Sequence, residues 1–161
     1  MPRYLYLLRH AQSADKQHGQ TDFQRELTAS GMQQALRIAG FFRDQKRFPE
    51  VIYSSPAERA KMTAEMIADA NKYDRELINY VEDLYEASTR TFFELVTKLD
   101  DQFRHVMFVG HNPAISYLAE YLTKAEIGEI VPAGMAIIQF DSQSWWEVSS
   151  GSGDFVQYVS Y

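Results

Sequence analysis

The chain contains no cysteine. That excludes a disulfide framework, a thiolate zinc site and a cysteine nucleophile. It also has no apolar run approaching the ~20 residues of a membrane-spanning helix. Its first apolar stretch, Tyr4 to Leu8, ends in charge after five residues, unlike the layout of a signal peptide. Together these absences predict a cytoplasmic protein with no membrane partner. Positive charge is scarce as well: 16 Lys and Arg stand against 22 Asp and Glu, a formal net charge of -6. A nucleic-acid binder needs a basic footprint, so no nucleic-acid partner is expected. A small anionic ligand remains compatible, because a local arginine cluster overrides the global sign. No internal repeat or low-complexity tract interrupts the 161 residues, which suffice for one domain over 1–161 with a substantial core.

What is present is an alternation of short apolar runs and helical periodicities. Residues 3–8 read as a strand buried on both faces, and 14–27 as a polar loop. Thr28 is a plausible N-cap for a helix carrying Met32, Ala35, Leu36, Ala39 and Phe42 up to about Arg43. Val51-Ile52-Tyr53 is a short strand, and Pro56 suits the start of a second helix with Ala60, Ala64, Ile67 and Ala68 on one stripe. Residues 77–82 are a candidate strand, and Phe92, Leu95, Val96 and Leu99 mark a third helix. His105 to Val109 is strongly β-prone and ends in Gly110; Asn112 is expected as N-cap and Pro113 as first residue of a fourth helix. Beyond Gly134, residues 135–140, 145–149 and 155–160 look like strands. The pattern predicts an α/β three-layer sandwich, with a mainly parallel central sheet, helices on both faces and an antiparallel region at the C-terminus.

In such a sheet, ligands bind beyond the carboxyl ends of the strands. There the sequence places Arg9, His10 and Ser13 after the first strand, and Ser54 and Ser55 after the second, with Arg59 one turn into the next helix. His111 and Asn112 follow the β-prone run that ends at Gly110, and a loop after residue 82 carries Glu86, Ser88 and Thr89. Two arginines and two histidines converging on one pocket describe a tetrahedral oxyanion site, since guanidinium forks match phosphate oxygens. Helix N-termini after Ser13, Ser55 and Asn112 would add aligned N–H groups. A neutral imidazole is a competent nucleophile, and a second, protonated one can bind equatorial oxygens or relay a proton.

Leu8-Arg9-His10-Ala11 resembles the Arg-His-Gly/Ala signature of the histidine phosphatase (phosphoglycerate mutase-like) superfamily. Ser54-Ser55-Pro56-Ala57-Glu58-Arg59-Ala60 with Thr63-Ala64 resembles its second arginine motif, and Val109-Gly110-His111-Asn112 its second histidine motif. Asp83-Leu84-Tyr85-Glu86-Ala87-Ser88 and Arg25-Glu26-Leu27-Thr28 resemble the short bacterial phosphohistidine phosphatase (SixA-like) branch, with Glu26 where a proline is common. The ordered set spans residues 8 to 112; residues 130–161 match in general character alone. The resemblance implies a metal-independent phosphatase acting on phosphomonoesters or phosphohistidine. His10 would become transiently phosphorylated; Arg9, Arg59 and His111 would clamp the phosphoryl oxygens; Glu86 would be the candidate proton donor. Ser13, Arg25 and Asn112 are expected at the substrate. No cofactor is implied, and the partner would be a phosphorylated small molecule or a phosphohistidine-bearing protein, met by a monomer or weak dimer.

Plainer roles compete for each residue. His10 could cap a helix, His111 could be a helix-entry residue, and Arg59 could pair with Glu58 or Glu65. Glu86 is equally a solvated loop carboxylate. Two other functions share the motifs: a phosphoglycerate mutase-type transferase, which the short chain disfavours for want of a large lid, and a non-catalytic phosphate sensor, which has no need of a nucleophile.

Overall fold

The apolar run near the N-terminus forms β1 (Arg3–Arg9), an interior strand of a six-stranded sheet. The computed structural model describes residues 1–161. Following β1 are α1 (Ala29–Gln45), β2 (Val51–Ser54), α2 (Glu58–Ala70), β3 (Asn79–Tyr80), α3 (Thr89–Thr97) and β4 (His105–Gly110). The chain then continues through α4 (Ala114–Thr123), β5 (Met135–Phe140) and β6 (Gly153–Val159). Strand order is β3-β2-β4-β1-β5-β6. The β1/β4, β2/β4 and β2/β3 pairs are parallel, whereas β5 runs antiparallel to both β1 and β6.

Strand alternation divides the core. Tyr6 and Leu8 of β1 join Ala35, Ile38, Ala60 and Ile67 of α1 and α2 in one apolar cluster. Leu5 and Leu7 join Phe92, Val96, Ile115 and Leu118 of α3 and α4 in the other. A strand covered on both faces reads as a continuous apolar run, which is why β1 shows no polar alternation. The expected three layers are therefore present. No helix is long and apolar enough to cross a membrane.

Helix entries follow side-chain chemistry in two cases. Thr28 Oγ1 accepts from Gly31 N at 2.9 Å and Ser88 Oγ from Thr91 N at 3.1 Å, each satisfying a backbone donor at an open helix end. Several local expectations are corrected. Pro56 lies before α2, whose N-cap is Ala57. No helix begins directly after Ser13; an isolated bridge to Leu27 and a 3-10 turn over Asp22–Gln24 fill that segment. Pro113, not Asn112, stands at the N-cap of α4. The Asn112 amide is occupied elsewhere: Nδ2 donates to Ile130 O, and Oδ1 accepts from Ser116 Oγ. The strand expected over 77–82 contracts to Asn79–Tyr80. Residues 145–149 form no strand, because Trp145 turns inward in a 3-10 turn, donates from Nε1 to Phe103 O at 2.8 Å and lies under the Arg3 guanidinium. That burial and cation–π contact outweigh the β propensity of the segment.

Candidate active site

The carboxyl ends of β1, β2 and β4 open onto a cleft of about 240 Å³. Of the residues the sequence assigns to the site, Arg9, His10, Ser13, Arg25, Arg59, Glu86, His111 and Asn112 line it, whereas Ser54, Ser55, Ser88 and Thr89 do not. Asp22 and Tyr85 complete the wall.

His10 leaves β1 with its backbone N–H on Gly110 O at 3.0 Å, so the β1/β4 ladder continues into the site. Its ring is 8% exposed, and Nδ1 lies 2.7 Å from Ala11 O. A carbonyl can only accept, so Nδ1 carries the hydrogen and Nε2 carries the lone pair of the neutral ring. Ala11 is held in turn: its N–H donates to Thr63 Oγ1, which donates to Arg59 O. The His111 ring centroid stands 5.1 Å from that of His10, and His111 Nε2 lies 2.8 Å from Ser55 Oγ. That hydroxyl also accepts from Ala57 N at the entry to α2.

Three guanidinium groups surround the rings. Arg9 Nη1 donates to Ile130 O at 2.9 Å, while its Nε–H is buried without an acceptor. Arg59, 7% exposed, donates from Nη1 to Asp22 O at 2.8 Å and from Nη2 to Asp22 Oδ2 at 3.1 Å. Its acid partner is therefore Asp22, rather than Glu58 or Glu65. Arg25 reaches Ala14 O, Asp22 Oδ1 and Ser13 Oγ, which turns both Arg25 and Ser13 toward the cleft wall. Glu86, exposed and with a left-handed φ of 60°, lies at the rim.

Burial, reinforced by neighbouring cations, lowers the pKa of His10 to about 4. Burial, with the His10 and Arg59 charges behind it, lowers that of His111 to about 3. At these values both imidazoles are neutral at pH 7; a bound dianion would favour protonation of His111, the form expected of a second histidine that binds phosphoryl oxygens. The unfolded chain takes up these protons near pH 6.5, whereas the folded chain resists until about pH 4 for His10. Stability contributed by neutral His10 is thus complete above pH 6.5 and declines as pH falls toward 4, by about 3 kcal/mol in all. An NMR titration of the His10 ring is expected to show a midpoint near 4. A midpoint at the ordinary value near 6.5 would show that desolvation does not govern the ring.

Sequence reasoning missed Asp22 and Tyr85. The phenol of Tyr85 donates to Asp22 Oδ2 at 2.7 Å, and its ring meets His111 edge-on at a centroid distance of 5.7 Å. A second cavity, about 560 Å³, adjoins the first through Arg9 and Asn112 and is lined by Ser116, Tyr117, Glu120 and Glu129.

A parallel-centred α/β sheet whose strand ends gather two imidazoles and three guanidinium groups forms a cleft suited to a phosphoryl oxyanion. The family model of the histidine phosphatase superfamily (branch 1) matches residues 5–97, and the chain belongs to that superfamily. The matched span holds Arg9, His10 and Arg59; His111 lies beyond it and arrives through β4. An uncharacterized protein of Mycobacterium tuberculosis is 28% identical over 94% of this chain and 98% of its own length. A structure assigned as the phosphohistidine phosphatase SixA of Agrobacterium tumefaciens is 26% identical, with a TM-score of 0.84 over 100% of this chain and 99% of that one. The protein histidine phosphatase SixA complexed with tungstate shares the fold at 21% identity, TM-score 0.83, over 98% and 96% of the two chains.

Proposed function

We propose that this protein is a phosphatase that works through a covalent phosphohistidine on His10 and acts on nitrogen-linked phosphoryl groups such as phosphohistidine in a protein. The observation that carries this reading is the His10–Ala11 hydrogen bond, which leaves the Nε2 lone pair of a neutral ring as nucleophile. In the first step Nε2 attacks phosphorus, and the bond to the leaving group breaks with its electron pair. Arg9 and Arg59 take up the charge on the equatorial oxygens, and His111 donates one further hydrogen bond. Glu86, at the exposed rim, is the candidate proton donor to an alkoxide leaving group; a phosphoimidazole already protonated on its second nitrogen leaves as neutral imidazole and needs no donor. In the second step water attacks phospho-His10, the N–P bond breaks, Nε2 regains its lone pair and phosphate departs. Ser13 and Arg25 bind at the edges of the substrate, whereas the Asn112 amide, held by Ile130 O and Ser116 Oγ, shapes the wall instead of binding as expected. No metal is invoked, because the guanidinium groups provide the positive charge.

The neighbouring cavity supports the choice of leaving group. Glu120 and Glu129 line it beside Arg9, which Glu129 approaches to 3.7 Å; the two carboxylates suit a phosphoimidazole protonated on its second nitrogen and repel the carboxylate of a phosphoglycerate. The SixA-named neighbours agree with that class. We place this chemistry in a single domain over 1–161 working in the cytoplasm. A panel of a phosphohistidine peptide, p-nitrophenyl phosphate and 3-phosphoglycerate tests the reading. The peptide is expected to exceed 3-phosphoglycerate in kcat/KM by ~100-fold, a difference within the reach of unpaired or repelled polar groups. Isomerisation of phosphoglycerate outpacing phosphate release would establish the mutase instead. Binding without turnover of any substrate would establish the sensor.

A further inference from the structure

Asp22 belongs to no motif in the chain, yet it receives more hydrogen bonds than any other side chain in the cleft. Its carboxylate accepts from Tyr85 Oη at 2.7 Å, Arg25 Nη1 at 3.0 Å and Arg59 Nη2 at 3.1 Å, and its backbone carbonyl accepts from Arg59 Nη1 at 2.8 Å. The three donors come from separate segments: the loop before α1, helix α2, and the loop before α3. Tyr85, so held, leans edge-on against His111. These hydrogen bonds, Tyr85 first and Arg25 next, keep the Asp22 acid well below the usual carboxylate range, so it is ionised at any working pH.

We propose that Asp22 is a positioning residue of the phosphoryl site: its carboxylate orients Arg59 and the Tyr85–His111 wall for the transition state, while its charge weakens ground-state binding of phosphate. The proposal rests on the reading of His10 as nucleophile. A guanidinium has five N–H groups. Arg59 uses two on Asp22, and the other three make no hydrogen bond within the protein. Asp22 therefore fixes the plane of the fork without exhausting it, and a phosphoryl group can be met by the remaining donors. This differs from a plug, which would have to leave before substrate could enter. Fixing the fork beforehand matters most where charge develops, since a donor that must reorient contributes less in the transition state. A fixed anion beside the same arginine also repels incoming phosphate at every stage. Asparagine is no mild replacement, because its Nδ2–H groups would face guanidinium N–H donors.

The test compares wild type, Asp22→Asn, Asp22→Glu and Tyr85→Phe in p-nitrophenyl phosphate turnover and in calorimetric titration with inorganic phosphate, with melting curves to confirm folding. In Asp22→Asn, kcat is expected to fall at least about tenfold while phosphate binds about tenfold more tightly. Asp22→Glu is expected to recover part of kcat. Tyr85→Phe, which loses one of the hydrogen bonds, is expected to lower kcat about threefold with phosphate affinity unchanged. An Asp22→Asn kcat within twofold of wild type would overturn the proposal; so would phosphate binding that weakens in step with kcat, the mark of a merely collapsed cleft. Should Asp22→Asn not fold, Tyr85→Phe decides by the same split: a lower kcat at unchanged affinity supports the role, and an unchanged kcat removes it. Wild type without turnover would sink the phosphatase reading alone. The titration would still judge the charge of Asp22, tighter binding by Asp22→Asn supporting the proposal and unchanged binding overturning it.

Discussion

His10→Asn is expected to lower kcat/KM by ~10⁴-fold or more and to abolish the phosphoenzyme. The choice of asparagine isolates the chemistry. Its Nδ2–H can take the place of Nδ1–H against Ala11 O, the 2.7 Å contact that holds the native ring. The arginines and His111 would keep their positions, so phosphate should still bind. What disappears is the nitrogen lone pair facing the cleft. Rapid acid-free quenching of wild type with a labelled aryl phosphate should trap a protein-bound phosphoryl group that is acid-labile and alkali-stable, as expected of phosphohistidine. The variant should show none. A variant that retained label or wild-type turnover would remove His10 from the reaction and leave the cleft as a binding site.

Gly31→Ala is expected to destabilise the fold by roughly 3 kcal/mol, within the range of severe overpacking. At an unhindered helix position the same change would stabilise by up to ~1 kcal/mol. Here a Cβ would stand 2.1 Å from Gln12 O and 3.1 Å from Gln12 N. The obstacle is backbone, and it cannot step aside freely: Gln12 O accepts from Thr28 N at 3.0 Å, and the adjacent Ala11 N–H is tied to Thr63 Oγ1. Relief would push residues 11–13 outward, dragging the carbonyl that orients His10. Urea unfolding should show a lower midpoint, and the surviving folded fraction should turn over more slowly. An unchanged midpoint would show that the α1 entry yields without cost.

The fold and the core of the site were legible because they depend on local signals. A five-residue apolar run before Arg9-His10 marks a doubly covered strand, and Gly110-His111 after the β-prone run marks its neighbour. Asp22 was not legible, because an aspartate in a polar loop carries no periodicity and its meaning lies wholly in where Arg59, 37 residues away, comes to rest. The Trp145 turn was hidden for a related reason. Its aromatic, β-prone sequence looks like a strand until Arg3 and the Phe103 carbonyl are brought against it by tertiary packing. Asn112 misled as an N-cap because Ser116 and Ile130 compete for the same amide. The protonation of His111 lay beyond sequence as well, since it follows from burial and the charges around the ring.

The two imidazoles face one another because Arg9 pairs with Gly110 at the end of the parallel β1/β4 ladder. Those partners are about a hundred residues apart along the chain, so closing that loop must precede any assembly of the site. Contacts of such long range slow folding, and a nascent polypeptide whose synthesis has not yet reached β4 carries His10 without His111. The cleft is thereby left unfinished until the central sheet is complete. A one-residue slip of that ladder would turn alternate side chains to the opposite face, so the backbone register itself guards the pairing.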